Sequence, residues 1–303
     1  MPVMPAFALR RPGPWTVALT VAVLAFLVRL SMVLHGGGLH SVAGYDDGVY
    51  YSAAVALLSG RVPYHDFVLL HPPGIVVALA PFAELGRLTQ DSFGFSLARV
   101  AWMLIGAVNS ALLVFAARRL GLAAAALAGV FYAVWPPAAA TETTTRLEPL
   151  VSLGLLVGLV LLGRARPSSR VALVLAGFAV GFSVSTKIWA VVPAVLLLAW
   201  TYRAHGRAAA LRYAGGVAAA GVVVCLPFLL AARSSMVRMV VLDQIGRPHS
   251  GGGLYFRIEH IFLLTHLPGE STWPRAVVAG VGLALVAVLA LLARGMPGGG
   301  LPA

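Results

Sequence analysis

Residues 71–87 read His-Pro-Pro-Gly-Ile-Val-Val-Ala-Leu-Ala-Pro-Phe-Ala-Glu-Leu-Gly-Arg. The architecture of the chain turns on whether this run crosses a bilayer. Its apolar part, 72–86, is about 15 residues long, opens on a proline pair, contains Pro81 and ends beside Glu84 and Arg87. An upright span needs about 20 mostly apolar residues. The run therefore fits an interfacial or re-entrant segment better.

The arginines decide the matter. Other apolar runs cover 15–35, 96–117, 121–140, 149–163, 171–186, 188–202, 213–232 and 274–293. If 72–86 does not cross and the N-terminus is cytoplasmic, the inner loops hold Arg10-Arg11, Arg118-Arg119, Arg164/Arg166/Arg170, Arg203/Arg207/Arg212 and Arg294. That is eleven arginines with no acidic residue among them, the asymmetry expected of cytoplasmic loops. If 72–86 crosses, Arg118-Arg119 moves outside, Glu142 and Glu148 move inside, and the pattern breaks at each later loop. The sequence predicts an all-α polytopic membrane protein of eight spans in the cell membrane, both termini cytoplasmic, with juxtamembrane helices in the first outer loop. Outer loops fall at 36–95, 141–148, around Lys187 and at 233–273. All ten carboxylates then lie on the outer face. One membrane domain over 1–294 and a disordered tail over 295–303 are expected.

Composition agrees. Hydrophobic residues are 60% of the 303 positions, charged residues 11%, and the mean hydropathy is +0.91, values of a polytopic helical membrane protein. The net charge of +12 is spread over loop ends, so membrane orientation explains it better than a nucleic-acid partner. The single cysteine, Cys225, lies in an apolar run and reads as a packing residue. Trp15 and Trp200 fall near inner ends, Trp135, Trp189 and Trp273 near outer ends, where indoles favour the headgroup zone. Ser41-Val42-Ala43 resembles a signal-cleavage site. The length of the first run and its internal Arg29 argue instead for an uncleaved anchor.

A chain with all its carboxylates on one face is expected to work there. The adjacent pair Asp46-Asp47, opening a short helix-forming run to Leu58, is the centre of that face. One carboxylate suffices to cap a helix. Two side by side repel, so each resists ionisation or takes a cation. A raised carboxylate makes a general base, and oxygen ligands suit a divalent ion such as Mg or Mn. Both uses stay open, with no cofactor required.

The acidic pair after the first span, followed by the proline pair Pro72-Pro73 about 25 residues on, resembles the C-type membrane glycosyltransferases. These include the protein O-mannosyltransferases, the aminoarabinose transferases and related families 39, 83 and 87. The resemblance continues in Ala98-Arg99 at the start of the second long run and in the basic cluster Arg118-Arg119. It extends to an acid after the third run (Glu142 or Glu148) and to Lys187 after the fifth. It covers roughly residues 15–260. The chain departs from the family in having Asp47 where Glu is usual and His71 where Lys often precedes the prolines. Many members also carry more spans or an outer soluble domain.

The resemblance implies a GT-C-like bundle, a polyprenyl-phosphate sugar as donor, a protein, lipid or glycan as acceptor, and transfer with inversion. Asp46 or Asp47 is then the base. Lys187 is the only lysine among 22 basic side chains. In a chain that otherwise uses arginine, it marks a place for a compact charge, the donor phosphate, or else a snorkelling span end. Arg247, His249 and Arg257, with Arg238, form a second candidate phosphate clamp. Tyr45, Tyr64, His65, Asp66, His71, Glu142, Arg146 and Glu148 are candidate substrate contacts, although Glu142, Arg146 and Glu148 could equally pair with one another. Arg29, deep in the first span, is costly to bury and is either functional or snorkels outward. Gly177–Gly181 hints at close helix packing. The competing classes are an inactive or truncated relative and a multi-pass transporter; against the latter, no Asp or Glu is expected inside any span.

Overall fold

The computed structural model describes residues 13–41, 45–166 and 168–246, and these are all-helical, without a strand. The helices are α1 (Pro14–His35), α2 (Tyr45–Leu58), α3 (Gly74–Leu88), α4 (Asp91–Ala117), α5 (Leu122–Val134), α6 (Pro136–Glu142), α7 (Leu147–Arg164), α8 (Arg170–Val184), α9 (Val191–His205) and α10 (Arg207–Ala232), followed by short helical turns over 234–245. The expected eighth span at 274–293, the tail at 295–303 and the residues Arg247, His249 and Arg257 lie outside the described residues.

Among the described residues, five helical stretches are long and apolar enough to cross a membrane: Pro14–His35, Asp91–Leu120, Leu147–Arg164, Ile188–His205 and Arg207–Ala232. The bent pair α5–α6 makes a sixth if read as one span, and α8, with 15 residues, is apolar but shorter. The helix over 72–86 forms as α3 and is not among these candidates. At 15 residues it is only about 22 Å long, against a hydrocarbon core of about 30 Å. It buries Ile75, Val76, Leu79 and Ala83 in a core shared with Tyr50 and Tyr51 of α2 and Trp102 of α4. Its first amide, Gly74 N–H, donates to Ser185 O at 2.7 Å, fastening the proline turn to the end of α8.

The bundle is built on small residues. A Cβ at Gly177 or Gly216 would overlap backbone atoms of the facing helix, so α8 and α10 meet backbone to backbone. Such close approach is how helices associate where burial of apolar area gives little drive. The hint at Gly177 is thus a packing contact.

The 60° bend between α5 and α6 has a local cause. Pro136 and Pro137 carry no N–H, so the carbonyls of Tyr132 and Ala133 lose their normal partners one turn later. Arg29 supplies one replacement: its Nη1 donates to Ala133 O at 2.9 Å.

Candidate functional site

Five sets of contacts join sequence-distant segments at the acidic end of the bundle. Arg99 Nη1 donates to the carbonyls of Gly38 at 3.0 Å, Leu39 at 2.9 Å and Ser41 at 2.6 Å, while Nε donates to Thr143 O at 3.0 Å. Trp102 Nε1 donates to Arg146 O at 2.7 Å. Asp47 Oδ1 accepts from Thr145 N–H and from Thr145 Oγ1, both at 2.7 Å. Lys187 Nζ donates to Glu148 Oε1 at 2.6 Å. Gln244 Nε2 donates to Leu70 O at 2.7 Å. The turn 143–146, between α6 and α7, is the hub: it touches the α1–α2 connection through Arg99, α2 through Asp47 and α4 through Trp102. The opposite end gathers arginines, with Arg119 Nη2 donating to Gly163 O at 2.5 Å.

The two members of the acidic pair occupy different environments. Asp47 is fully buried; Asp46 is exposed. The Oδ2 of Asp47 has no hydrogen-bond partner among the described residues, and Asp47 and Arg99 interact electrostatically. The division follows from helix geometry: successive residues on a helix differ in direction by about 100°, so neighbours cannot share a face. Of the two, only Asp46 faces solvent. Asp47 holds α2 to the 143–146 turn. As a seat for Mg or Mn the pair offers one accessible carboxylate, and among the described residues no three His, Cys, Asp or Glu side chains converge.

A cavity of about 440 Å³ lies between α2 and the loop that follows it, lined by Tyr45, Gly48, Ser52, Arg61 and Phe67 among others. Tyr45 and Gly48 flank the acidic pair in sequence, but neither Asp46 nor Asp47 lines the cavity. Tyr45 is 86% exposed. Arg61 stacks over Phe67 at 5.8 Å.

The remaining candidates separate into three groups. Tyr64 is a scaffold residue. It is buried with φ of 68°, its hydroxyl donates to His71 O at 2.7 Å, and burial pushes its pKa well above the usual tyrosine range. His65 and Asp66 lie on the surface of the same loop, 2.7 Å apart. The Val62 N–H, donating to Asp66 Oδ2 at 2.6 Å, and then His65 hold the Asp66 carboxyl below its ordinary pKa. His71 stands 6.1 Å, ring to ring, from Tyr50. Glu148 and Lys187 form a half-buried pair, and Arg146 also acts on Glu148 electrostatically.

Glu142 belongs to neither the surface nor the set Glu142–Arg146–Glu148 that the sequence allowed. It is fully buried and paired with Arg29. Arg29 Nε donates to Glu142 Oε2 at 2.6 Å and Nη2 to the same oxygen. Asn109 Nδ2 at 3.1 Å and Tyr132 OH at 2.8 Å donate to Oε1. Arg29 therefore does not snorkel, and an acid does lie inside the helix bundle. Its hydrogen-bonding capacity is taken up internally, which leaves it unsuited to substrate contact. Sequence reasoning singled out Arg99 only through the resemblance, without its organising contacts, and missed Thr145 and Asn109. Arg99 had a signal, a charge inside an apolar run; Thr145 and Asn109 had none strong enough to separate them from ordinary polar residues.

Comparison with protein-family models, with curated proteins and with solved structures finds no match to this chain.

Proposed function

We propose that this chain is an integral-membrane glycosyltransferase that moves a sugar, mannose or a relative, from a polyprenyl-phosphate donor to an acceptor hydroxyl on the extracytoplasmic side, with inversion. In this reading the bundle has eight spans of GT-C type, both termini are cytoplasmic, and the arginine end faces inward. The observation that carries it is the split of the acidic pair, with a buried Asp47 anchoring the start of α2 and an exposed Asp46 next to it. A carboxylate held in place by its neighbour yet open to solvent is what a general base requires.

The step follows from these parts. The acceptor hydroxyl approaches the solvent-exposed start of α2 and Asp46 takes its proton. The acceptor oxygen bonds to the anomeric carbon as the bond from that carbon to the phosphate oxygen breaks. The electron pair leaves with the lipid phosphate. Lys187, held by Glu148 at the acidic end, is the cation assigned to that phosphate, where a compact ammonium stabilises developing charge. The step uses one displacement, so no sugar–enzyme bond forms.

The direct test is transfer from radiolabelled polyprenyl-phosphate mannose, and related donors, in membranes containing the full chain. Label in a product at levels above control membranes supports the proposal; no transfer from any donor, with folded and abundant protein, contradicts it. The buried Arg29–Glu142 pair favours a second reading, since ionisable residues inside a bundle often mark ion paths. Proton-coupled uptake into liposomes that is abolished by Glu142→Gln would support a transporter instead.

A further inference from the structure

We infer that the arginine end carries a binding site for an anionic phospholipid, separate from the acidic end and independent of any transferase activity. Two adjoining cavities form it. One, of about 160 Å³, is lined by Arg118, Arg119, Arg164, Phe115 and Trp200 among others. The other is an apolar groove of about 770 Å³ running between α1 and α4, lined by Trp15, Phe26, Leu104, Val108 and Leu112 among others. Phe115, Val160 and Arg164 line both, so the polar cavity opens directly onto the groove.

The polar cavity is preformed. Arg119 ties the end of α4 to α7 by donating to Gly163 O. Arg164 lies over the Phe115 ring at 5.5 Å, and Trp15 packs edge-on against the same ring at 4.6 Å. Phe115 thus fixes the guanidinium of Arg164 at the mouth where the groove begins. Among the described residues, none that lines either cavity is acidic. Three guanidiniums around a space of this size match a phosphate, for which forked donors are the best partner. A single water needs only about 10–15 Å³ by the same measure, so the headgroup phosphate has ample room. A free phosphate would satisfy the arginines alone. The groove beneath them demands an acyl chain, so the occupant that fits both is a lipid. Anionic lipids are enriched in the cytoplasmic leaflet, which the arginine end faces in the proposed orientation.

The test uses the full chain in a neutral detergent, titrated with phosphatidylglycerol or phosphatidylcholine carrying brominated acyl chains, with tryptophan quenching as the signal. Subtracting the same titration of Trp15→Phe isolates the tryptophan in the groove. Saturable quenching of Trp15 is expected, with phosphatidylglycerol binding several-fold tighter than phosphatidylcholine. Arg118→Gln with Arg164→Gln should weaken phosphatidylglycerol about tenfold or more and remove the preference. Arg166→Gln with Arg170→Gln, which removes two charges from the α7–α8 connection and the first residue of α8, should leave both intact. Val108→Phe, which keeps every charge and fills the groove, should lose the Trp15 signal even if the arginine variant fails to fold. Equal affinity for the two lipids, or equal loss from the Arg166/Arg170 variant, would overturn the proposal in favour of diffuse attraction.

Discussion

Arg29 and Glu142, 113 positions apart, form an ion pair with both side chains sealed from solvent. The pair joins α1 to the end of α6. The same guanidinium also caps the carbonyl that Pro137 leaves unpaired on α5. Removing one partner strands a buried charge, so Arg29→Met or Glu142→Leu alone should cost about 3–5 kcal/mol, whereas the double change should recover much of that loss. Unfolding of the purified chain in detergent measures this. Equal loss in the single and double variants would show that the coupling is absent.

Asp47 and Thr145 make the contact that seats α2 on the turn between α6 and α7. Thr145→Val deletes one of the two donors to a buried carboxylate oxygen and should destabilise by about 1–3 kcal/mol. Thr145→Ser keeps the hydroxyl and should behave like the native chain. Melting of the three proteins side by side decides it, and identical melting would remove Asp47 from its anchoring role.

The 62–66 loop should respond to acid. The Asp66 carboxyl is held below its ordinary pKa, first by the Val62 amide and then by His65. A depressed carboxylate contributes stability above its unfolded pKa of about 4, and that contribution is lost as pH falls through the lower folded value. Protection of the Val62 amide from hydrogen exchange, corrected for the intrinsic rate, should therefore be flat down to about pH 4 and fall below it. Asp66→Asn should abolish the step. A step near pH 6.5, the ordinary histidine value, would assign the effect to His65 instead.

Much of this arrangement was legible in the sequence. Helices form at seven of the predicted runs, although one of them is bent and α8 is short. The proline pair opens a helix, α3, too short to span: neither Pro72 nor Pro73 has an N–H to extend it backward, and it ends at Leu88. Arg99 joins the 36–41 connection to Thr143, and Lys187 meets Glu148. What the sequence could not show was which buried charges pair. Periodicity sets the face a residue occupies, not the helix it meets, and Arg29 finds Glu142 only because α5 bends at Pro136-Pro137. Nor could it show that neighbouring aspartates divide their labour, since that depends on where the 143–146 turn docks.

Lys187 and Glu148 permit a kinetic separation. If Lys187 holds the donor phosphate, Lys187→Met should raise the donor KM roughly ten- to hundred-fold. Glu148→Gln releases the lysine from its carboxylate and should leave KM unchanged or lower. A pair that is only structural would instead show the same drop in melting for both variants and no change in donor KM.

The central claim is that Asp46 is the base and Asp47 its anchor. The most direct measurement is sugar transfer by Asp46→Asn, at expression and melting temperature equal to the native chain. The account predicts that kcat falls by about 10²–10⁴-fold while donor binding is retained. Transfer by Asp46→Asn at the native rate would contradict it.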